Sequence, residues 1–94
     1  MPNTNYVRGA RYERECAKLL KERGALVAQR SAGSHSPVDV WAIVPDGSVL
    51  MIQVKTGGAD TRVEAFRALP CISPNRKQLW THPAKGKWEI EDIP

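Results

Sequence analysis

Hydrophobic and polar positions divide the chain into two helical segments and five strand-like segments. Apolar residues recur at helical spacing over residues 6–23, and Gly24 follows as a helix stop. A shorter helix is predicted over residues 61–69, before Pro70. Short apolar runs predict strands over residues 25–30, 38–44, 49–55, 77–82 and 87–93. This αβββαββ order predicts an α/β fold. A chain of 94 residues is too short for two hydrophobic cores, so a single domain, residues 1–94, is expected, with residues 1–5 flexible because Pro2 and two Asn disfavour a helix there.

The third predicted strand ends in two polar side chains. Residues 49–55 are apolar except for Gln53 and Lys55, which lie two residues apart and therefore share one face of the sheet. One interpretation is that the strand surfaces here and Lys55 extends into water. The other is that Gln53 and Lys55 belong to a functional site.

Asp39 is the polar exception at the start of the second predicted strand, which is otherwise apolar on both faces. The Pro-Asp-Gly sequence of residues 45–47 predicts a turn, so the second and third strands should form an antiparallel hairpin. In such a hairpin the start of one strand lies beside the end of the next. Asp39, Gln53 and Lys55 are therefore expected to converge.

Glu13 falls inside the apolar arc of the first helix. It precedes Leu20 by seven residues, which places the two side chains only about 20° apart around the helix axis. A carboxylate directed toward the sheet needs a cation, a metal or a hydrogen-bond donor. Glu13 is therefore either a site residue or an acid at the edge of the apolar face that pairs with an arginine.

Charge is unevenly distributed along the chain, whose formal net charge is +4. Residues 1–38 contain seven Lys or Arg against three Glu, whereas the C-terminal segment carries Glu89, Glu91 and Asp92. A basic N-terminal half favours nucleic acid as a partner. No apolar run approaches the length of a membrane span, and the N-terminus lacks a signal peptide, so a cytoplasmic protein without membrane attachment is expected. For a viral gene the compartment would be the host cytoplasm.

Other residues receive structural interpretations. Cys16 and Cys71 have no metal-spaced partners and are expected to be free thiols. The three tryptophans lie in strand patterns, which favours packing in the core or a dimer interface over base stacking. They are Trp41, Trp80 and Trp88. The predicted basic surface continues through Arg62, Arg67, Arg76, Lys77, Lys85 and Lys87.

The converging polar residues suit metal-assisted phosphodiester hydrolysis. Mg²⁺ prefers oxygen ligands, which the Asp39 carboxylate, the Gln53 amide oxygen and the Val54 backbone carbonyl could provide beside a phosphate. A metal there would polarise the phosphate and lower the pKa of an attacking water. Lys55 could orient or deprotonate that water and neutralise charge on the phosphate.

The order of Glu13, Asp39 and the Gln53-x-Lys55 pair resembles the PD-(D/E)xK nuclease superfamily. Within it, residues 8–55 resemble the archaeal-type Holliday junction resolvases. The resemblance rests on Arg8-Gly9-Ala10, Glu13-Arg14-Glu15, Leu19-Leu20, Gly24, Arg30-Ser31-Ala32-Gly33-Ser34, Val38-Asp39 and Gln53-Val54-Lys55. It implies a restriction-endonuclease-like fold, with a central mixed five-stranded sheet flanked by helices, the second of them short. It also implies a homodimer that binds four-way DNA junctions and makes paired Mg²⁺-dependent nicks, with Mn²⁺ expected to substitute.

The same resemblance implies roles for individual residues. Asp39 would be the metal carboxylate, Lys55 the catalytic lysine and Ser34 a loop serine near the scissile phosphate. Glu13 would be the helix acid and an additional candidate metal ligand, beside Gln53 and the Val54 carbonyl. The expected DNA-binding residues are Arg8, Arg11, Arg14, Arg30, Ser34, His35 and Arg62. For His35 the alternative is a solvated loop histidine.

Two positions depart from the family pattern. Gln53 stands where resolvases usually carry Glu, which removes one negative charge from the metal site, and Val38 replaces the Pro of the superfamily name. Two other functions therefore stay open. One is a nuclease of the same superfamily acting on ordinary or mismatched duplex DNA, and the other is a catalytically weak DNA-binding module.

Overall fold

The first helix, α1, spans Thr4–Glu22 and ends where Gly24 adopts a positive φ of 106°. Only glycine enters that conformation without steric cost, which explains the stop. The helix begins two residues before the predicted start at residue 6. The computed structural model describes residues 4–31, 36–55, 62–82 and 87–94, without the side chains of residues 4–9 and 62.

The remaining elements follow in the predicted αβββαββ order. They are β1 (Val27–Arg30), β2 (Val40–Ile43), β3 (Val49–Lys55), α2 (Arg62–Ala68), β4 (Arg76–Thr81) and β5 (Glu89–Ile93). The strands form one mixed sheet in the order β1-β2-β3-β4-β5, and only the β3–β4 pair is parallel within it. The prediction of a five-stranded mixed sheet with a short second helix is confirmed.

The β2–β3 hairpin is antiparallel, as predicted, and pairs Val40 with Ile52. Its turn is held by Asp46, whose Oδ1 accepts hydrogen bonds from the backbone N–H and the hydroxyl of Ser48 at 2.8 and 2.6 Å. Gly47 supplies the positive φ, 87°, that the turn requires. The hairpin therefore brings residue 39, at the start of β2, to the end of β3.

The two faces of the sheet bury different clusters. Cys16 and Leu20 of α1 pack on Ile52 and Val54 of β3. On the opposite face, Phe66 of α2 packs with a second group of side chains. This group contains Leu79 and Ile93, with Met51, Val63 and Leu69 at its edge. Side chains along a strand point alternately to the two faces of the sheet, so Gln53 and Lys55 lie on the same face as Met51, opposite α1.

Lys77 is not part of the basic surface, so that prediction is wrong. Its side chain is 2% exposed, and its ammonium group donates hydrogen bonds to the Phe66, Arg67 and Leu69 carbonyls at 3.3, 2.7 and 2.8 Å. Carbonyls at a helix C-terminus lack intrahelical partners and attract cations. The Lys77 ammonium therefore supplies the hydrogen-bond donors that the carbonyls at the C-terminal end of α2 lack.

Other structural predictions are confirmed. Trp80 is buried in the core and Trp88 packs against it. Cys16 and Cys71 are free thiols, the first buried and the second half-buried. Neither described helix combines the length and the apolar character needed to cross a membrane.

Candidate active site

Asp39 is held at the end of the hairpin by backbone groups from two neighbouring strands. Its N–H donates to the Ile52 carbonyl at 2.9 Å, and its carbonyl accepts from the Ser31 N–H at 2.8 Å. Its carboxylate Oδ2 accepts from the Val54 N–H at 2.9 Å. The residue is 6% exposed. The acid that precedes β2 is therefore fixed beside residues 52–54.

The Val54 carbonyl lies on the same side of β3 as Asp39. A strand residue that exchanges hydrogen bonds with a neighbour directs its N–H and its C=O to the same side. The Val54 N–H points at the Asp39 carboxylate, whereas the carbonyl of the next residue, Lys55, points toward β4 and accepts from the His82 N–H at 2.8 Å. The Val54 carbonyl is therefore directed to the side of β3 on which the Asp39 carboxylate lies.

Gln53 is fully buried, and only one of the two polar atoms of its side chain has a hydrogen-bond partner within the described residues. Its Nε2 donates to the Pro37 carbonyl at 3.3 Å, while its Oε1 has no hydrogen-bond partner there. An amide oxygen that is buried without a partner costs about 1–3 kcal/mol. Together with the Asp39 carboxylate and the Val54 carbonyl, this amide oxygen would make up the kind of oxygen donor set that a hard divalent cation prefers.

Lys55 ends β3 as a half-buried residue on the same face as Gln53. Its backbone is anchored by pairing with Thr81 and by the His82 N–H. The ring of His82 in turn stacks on Tyr12 of α1, with centroids 4.3 Å apart, and meets the edge of Trp88 at 4.8 Å. Aromatic contacts therefore join α1 to the strand ends next to Lys55.

Glu13 pairs with Arg30, one of the two alternatives that the sequence leaves open. The Arg30 Nε donates to Glu13 Oε1 at 3.0 Å, and the Glu13 side chain is 18% exposed. Arg30 ends β1 opposite Val40, and the next residue, Ser31, bonds to Asp39. Glu13 is thus linked through β1 to the strand start that carries Asp39.

The buried Cys16 thiol on α1 lies within the electrostatic influence of both acids. Its pKa is raised from 9.0 to about 12, chiefly by burial and next by the negative charge of Asp39. Arg23 opposes that rise, while Glu13 and Glu15 add to it. Asp39 and Glu13 therefore both act on one buried thiol, which stays protonated and unreactive at neutral pH.

A divalent metal fits this site only through a mixed donor set. Within residues 10–31, 36–55, 63–82 and 87–94, no three His, Cys, Asp or Glu side chains form a metal-binding group. The available oxygens are the Asp39 carboxylate, the Gln53 amide and the Val54 carbonyl. Such a set carries one formal negative charge, one fewer than it would with Glu at position 53.

The expected DNA-binding residues are only partly described. Arg11 and Arg14 are exposed on α1. Arg8 and Arg62 belong to α1 and α2, but the structure does not describe their side chains. Ser34 and His35 lie outside the described residues.

Sequence reasoning missed three contacts that shape the site. The Val54 N–H to Asp39 bond follows from the hairpin, since a residue just before β2 must face the end of β3. The Glu13–Arg30 partnership and the Tyr12–His82 stack join residues that are distant in sequence. Their side-chain patterns do not specify which partner each one meets.

A comparison with protein families matches residues 4–66, about two thirds of the chain, to the family described as archaeal Holliday junction resolvase (Hjc). Searches of curated proteins and of solved structures return no match. The match covers α1, the β1–β3 strands and most of α2, and so contains Glu13, Asp39, Gln53, Val54 and Lys55. The chain therefore belongs to the archaeal Holliday junction resolvase family, a family of nucleases with the restriction-endonuclease-like fold.

Proposed function

We propose that this protein is a Mg²⁺-dependent endonuclease that binds four-way DNA junctions as a homodimer and resolves them by paired nicks. The observation that carries the proposal is the cluster at the end of β3. There the Asp39 carboxylate accepts a hydrogen bond from the Val54 N–H, and the buried Gln53 oxygen has no partner among the described residues. Lys55 follows on the same strand, in a chain of the resolvase family. The family supports DNA cleavage, and the cluster supports hydrolysis at a phosphate.

The chain's own residues have distinct roles in this hydrolysis. Asp39, Gln53 and the Val54 carbonyl would hold the metal, which when bound polarises the phosphate and lowers the pKa of a water. Because Asp39 is fixed by backbone hydrogen bonds, its carboxylate needs little reorganisation during the reaction. Lys55 orients the water and neutralises the charge that develops on the phosphate oxygens. The water loses a proton as its oxygen bonds to phosphorus, the phosphorus–oxygen bond to one sugar breaks, and that sugar oxygen takes up a proton.

A junction cleavage assay tests the proposal. Wild type with Mg²⁺ should nick a synthetic four-way junction, while Asp39→Asn and Lys55→Ala should bind the junction and leave it intact. Binding survives because the many phosphate contacts lie elsewhere on the protein. Cleavage that persists in either variant would contradict the assigned site.

Competition between the junction and linear duplex separates the remaining functions. A preference for the junction supports resolution, whereas equal binding and cleavage of linear duplex would favour a general nuclease of the superfamily. Junction binding without cleavage by the wild type in Mg²⁺ or Mn²⁺ would indicate the catalytically weak DNA-binding module. In every DNA-binding case affinity should fall steeply with salt, because phosphate contacts release counterions.

A further inference from the structure

A basic groove runs between α1 and β1. Arg14, Lys18 and Lys21 line it from the helix, and Arg30 lines it from the strand. The three helical cations are spaced by four and three residues, so they form one stripe along the helix. Ala17 and Ala28 contribute small side chains to the lining. A groove with cations on two sides and small residues between them fits the sugar–phosphate backbone of a nucleic-acid strand.

Arg30 belongs both to this groove and to the candidate active site. Its guanidinium is bound to Glu13 at 3.0 Å, yet its side chain is 35% exposed. Water screens the attraction on the Arg30 side of the pair, whereas the Glu13 side chain is only 18% exposed. A stronger partner could therefore draw Arg30 away, provided that the new contact offsets the cost of leaving the Glu13 carboxylate unpaired.

A DNA phosphate is such a partner. Guanidinium groups bind phosphate with two parallel hydrogen bonds, which are stronger than neutral ones. Arg14, Lys18 and Lys21 add positive potential along the same groove, so a phosphate entering it is attracted before it meets Arg30. Among the residues that line the groove, the acidic one is Glu22 on α1.

We propose that the groove binds the phosphates of one DNA strand, and that a phosphate replaces the Glu13 carboxylate as the partner of the Arg30 guanidinium. This exchange rests on the proposed function, since it requires DNA as the substrate. In the free protein Arg30 neutralises Glu13, and in the complex the Glu13 carboxylate is released.

The released charge would lie beside Arg30, at the end of β1 that pairs with the start of β2. Arg30 is opposite Val40, and Ser31 donates to the Asp39 carbonyl at 2.8 Å. The Cys16 thiol is influenced by both Asp39 and Glu13. The exchange would therefore add negative charge to the candidate metal site only when DNA is present, and would compensate for the neutral Gln53.

The test follows the Arg30 side chain directly, in EDTA so that no cleavage occurs. The Nε–H signal of Arg30 is recorded by ¹H–¹⁵N NMR in free wild type and Glu13→Gln, and again with a four-way DNA junction bound. The exchange predicts that the free proteins differ and that the two complexes converge on one chemical shift. A wild-type signal that does not move when the junction binds would overturn the proposal.

Affinity provides a second measurement with a matched control. Glu13→Gln should bind the junction about threefold more tightly at low salt, because Arg30 no longer has to break an ion pair before it binds a phosphate. Glu22→Gln removes the same charge from the groove without freeing Arg30, and should change affinity by less than about 1.5-fold. Equal gains in the two variants would overturn the exchange.

Two further outcomes separate the exchange from the proposed function. Arg30→Ala should weaken binding and reduce the slope of log affinity against log salt by about one. An unchanged slope would overturn the groove while leaving the proposed function intact. Wild type that binds no DNA would overturn both.

Discussion

Gln53 limits the charge of the candidate metal site. Its amide oxygen is buried without a partner among the described residues, while its nitrogen donates to the Pro37 carbonyl. A neutral amide at this position leaves Asp39 as the carboxylate held at the end of β3. A glutamate would supply a second charge, but it would lose the donor to Pro37 and would be a buried anion without a metal.

Gln53→Glu should therefore make stability depend on the metal. In EDTA we expect the free energy of unfolding to fall by about 1–3 kcal/mol. Added Mg²⁺ should raise the thermal midpoint more in the variant than in wild type, because a ligand that binds only the folded state stabilises it. Thermal denaturation in EDTA and in Mg²⁺ measures this.

The control is Gln29→Glu, which makes the same substitution at an exposed position of β1. It should leave the response to Mg²⁺ unchanged. Equal Mg²⁺ responses in wild type and Gln53→Glu would place the metal elsewhere.

Cys16 makes stability fall at alkaline pH. Its pKa is about 12 in the folded protein against 9.0 for an ordinary thiol. Below pH 9 the thiol is protonated in both states, but between pH 9 and 12 the unfolded thiol loses its proton first. Stability is therefore fully present below pH 9 and decreases toward pH 12, by at most about 1.4 kcal/mol per pH unit.

Denaturant unfolding at pH 8 and pH 10.5 checks this prediction when wild type is compared with Cys16→Ala. Because the variant lacks the thiol, the stability difference between the two proteins should shrink as pH rises. A difference that does not depend on pH would show that burial does not hold the thiol protonated. In the native protein a thiol reagent should modify the half-buried Cys71 and spare Cys16.

The short helix α2 depends on Lys77 of β4 as much as on its own sequence. Phe66 anchors the helix in its cluster, and the Lys77 ammonium binds three carbonyls at its end. A helix of seven residues is too short to be stable alone. The crossover between the parallel strands β3 and β4 is therefore held in place by a strand residue.

Lys77→Met should destabilise the protein by about 1–3 kcal/mol, since it keeps the length of the side chain and removes the donor to those carbonyls. Lys87→Met is the matched control, because Lys87 is exposed, and it should change stability by less than about 0.5 kcal/mol. Urea denaturation compares the two. Equal losses in both variants would mean that the buried ammonium does not stabilise α2.

Elements could be predicted from the sequence where local patterns decide them. The apolar runs of β2 and β3 and the turn at Gly47 specify the hairpin, and the hairpin brings Asp39 beside Gln53. Lys77 could not be recognised as buried, because its partners are carbonyls that become available only once α2 ends above it. Glu13 left two alternatives open for the same reason, since its partner Arg30 is 17 residues away.

Each chain has one candidate active site, whereas the proposed resolution of a junction requires two nicks. One Asp39 can serve one scissile phosphate, so paired nicks in opposite strands require two copies of the chain. A dimer related by a twofold axis presents the same site to both strands. The proposed paired reaction, together with the family resemblance, is the argument for the proposed homodimer.

Mixing wild type with Asp39→Asn should show whether resolution of one junction requires two active sites. If subunits exchange freely at equal concentrations, about one quarter of the dimers contain two wild-type sites, and half contain one. Mixed dimers should release junctions nicked in one strand, so resolved duplexes should fall to about one quarter of the wild-type yield during a single binding event. Sedimentation must first give about twice the 10.4 kDa chain mass, with or without a junction. A chain that sediments as a monomer would contradict the proposed dimer, and a resolved yield of about three quarters would mean that one active site can cut both strands.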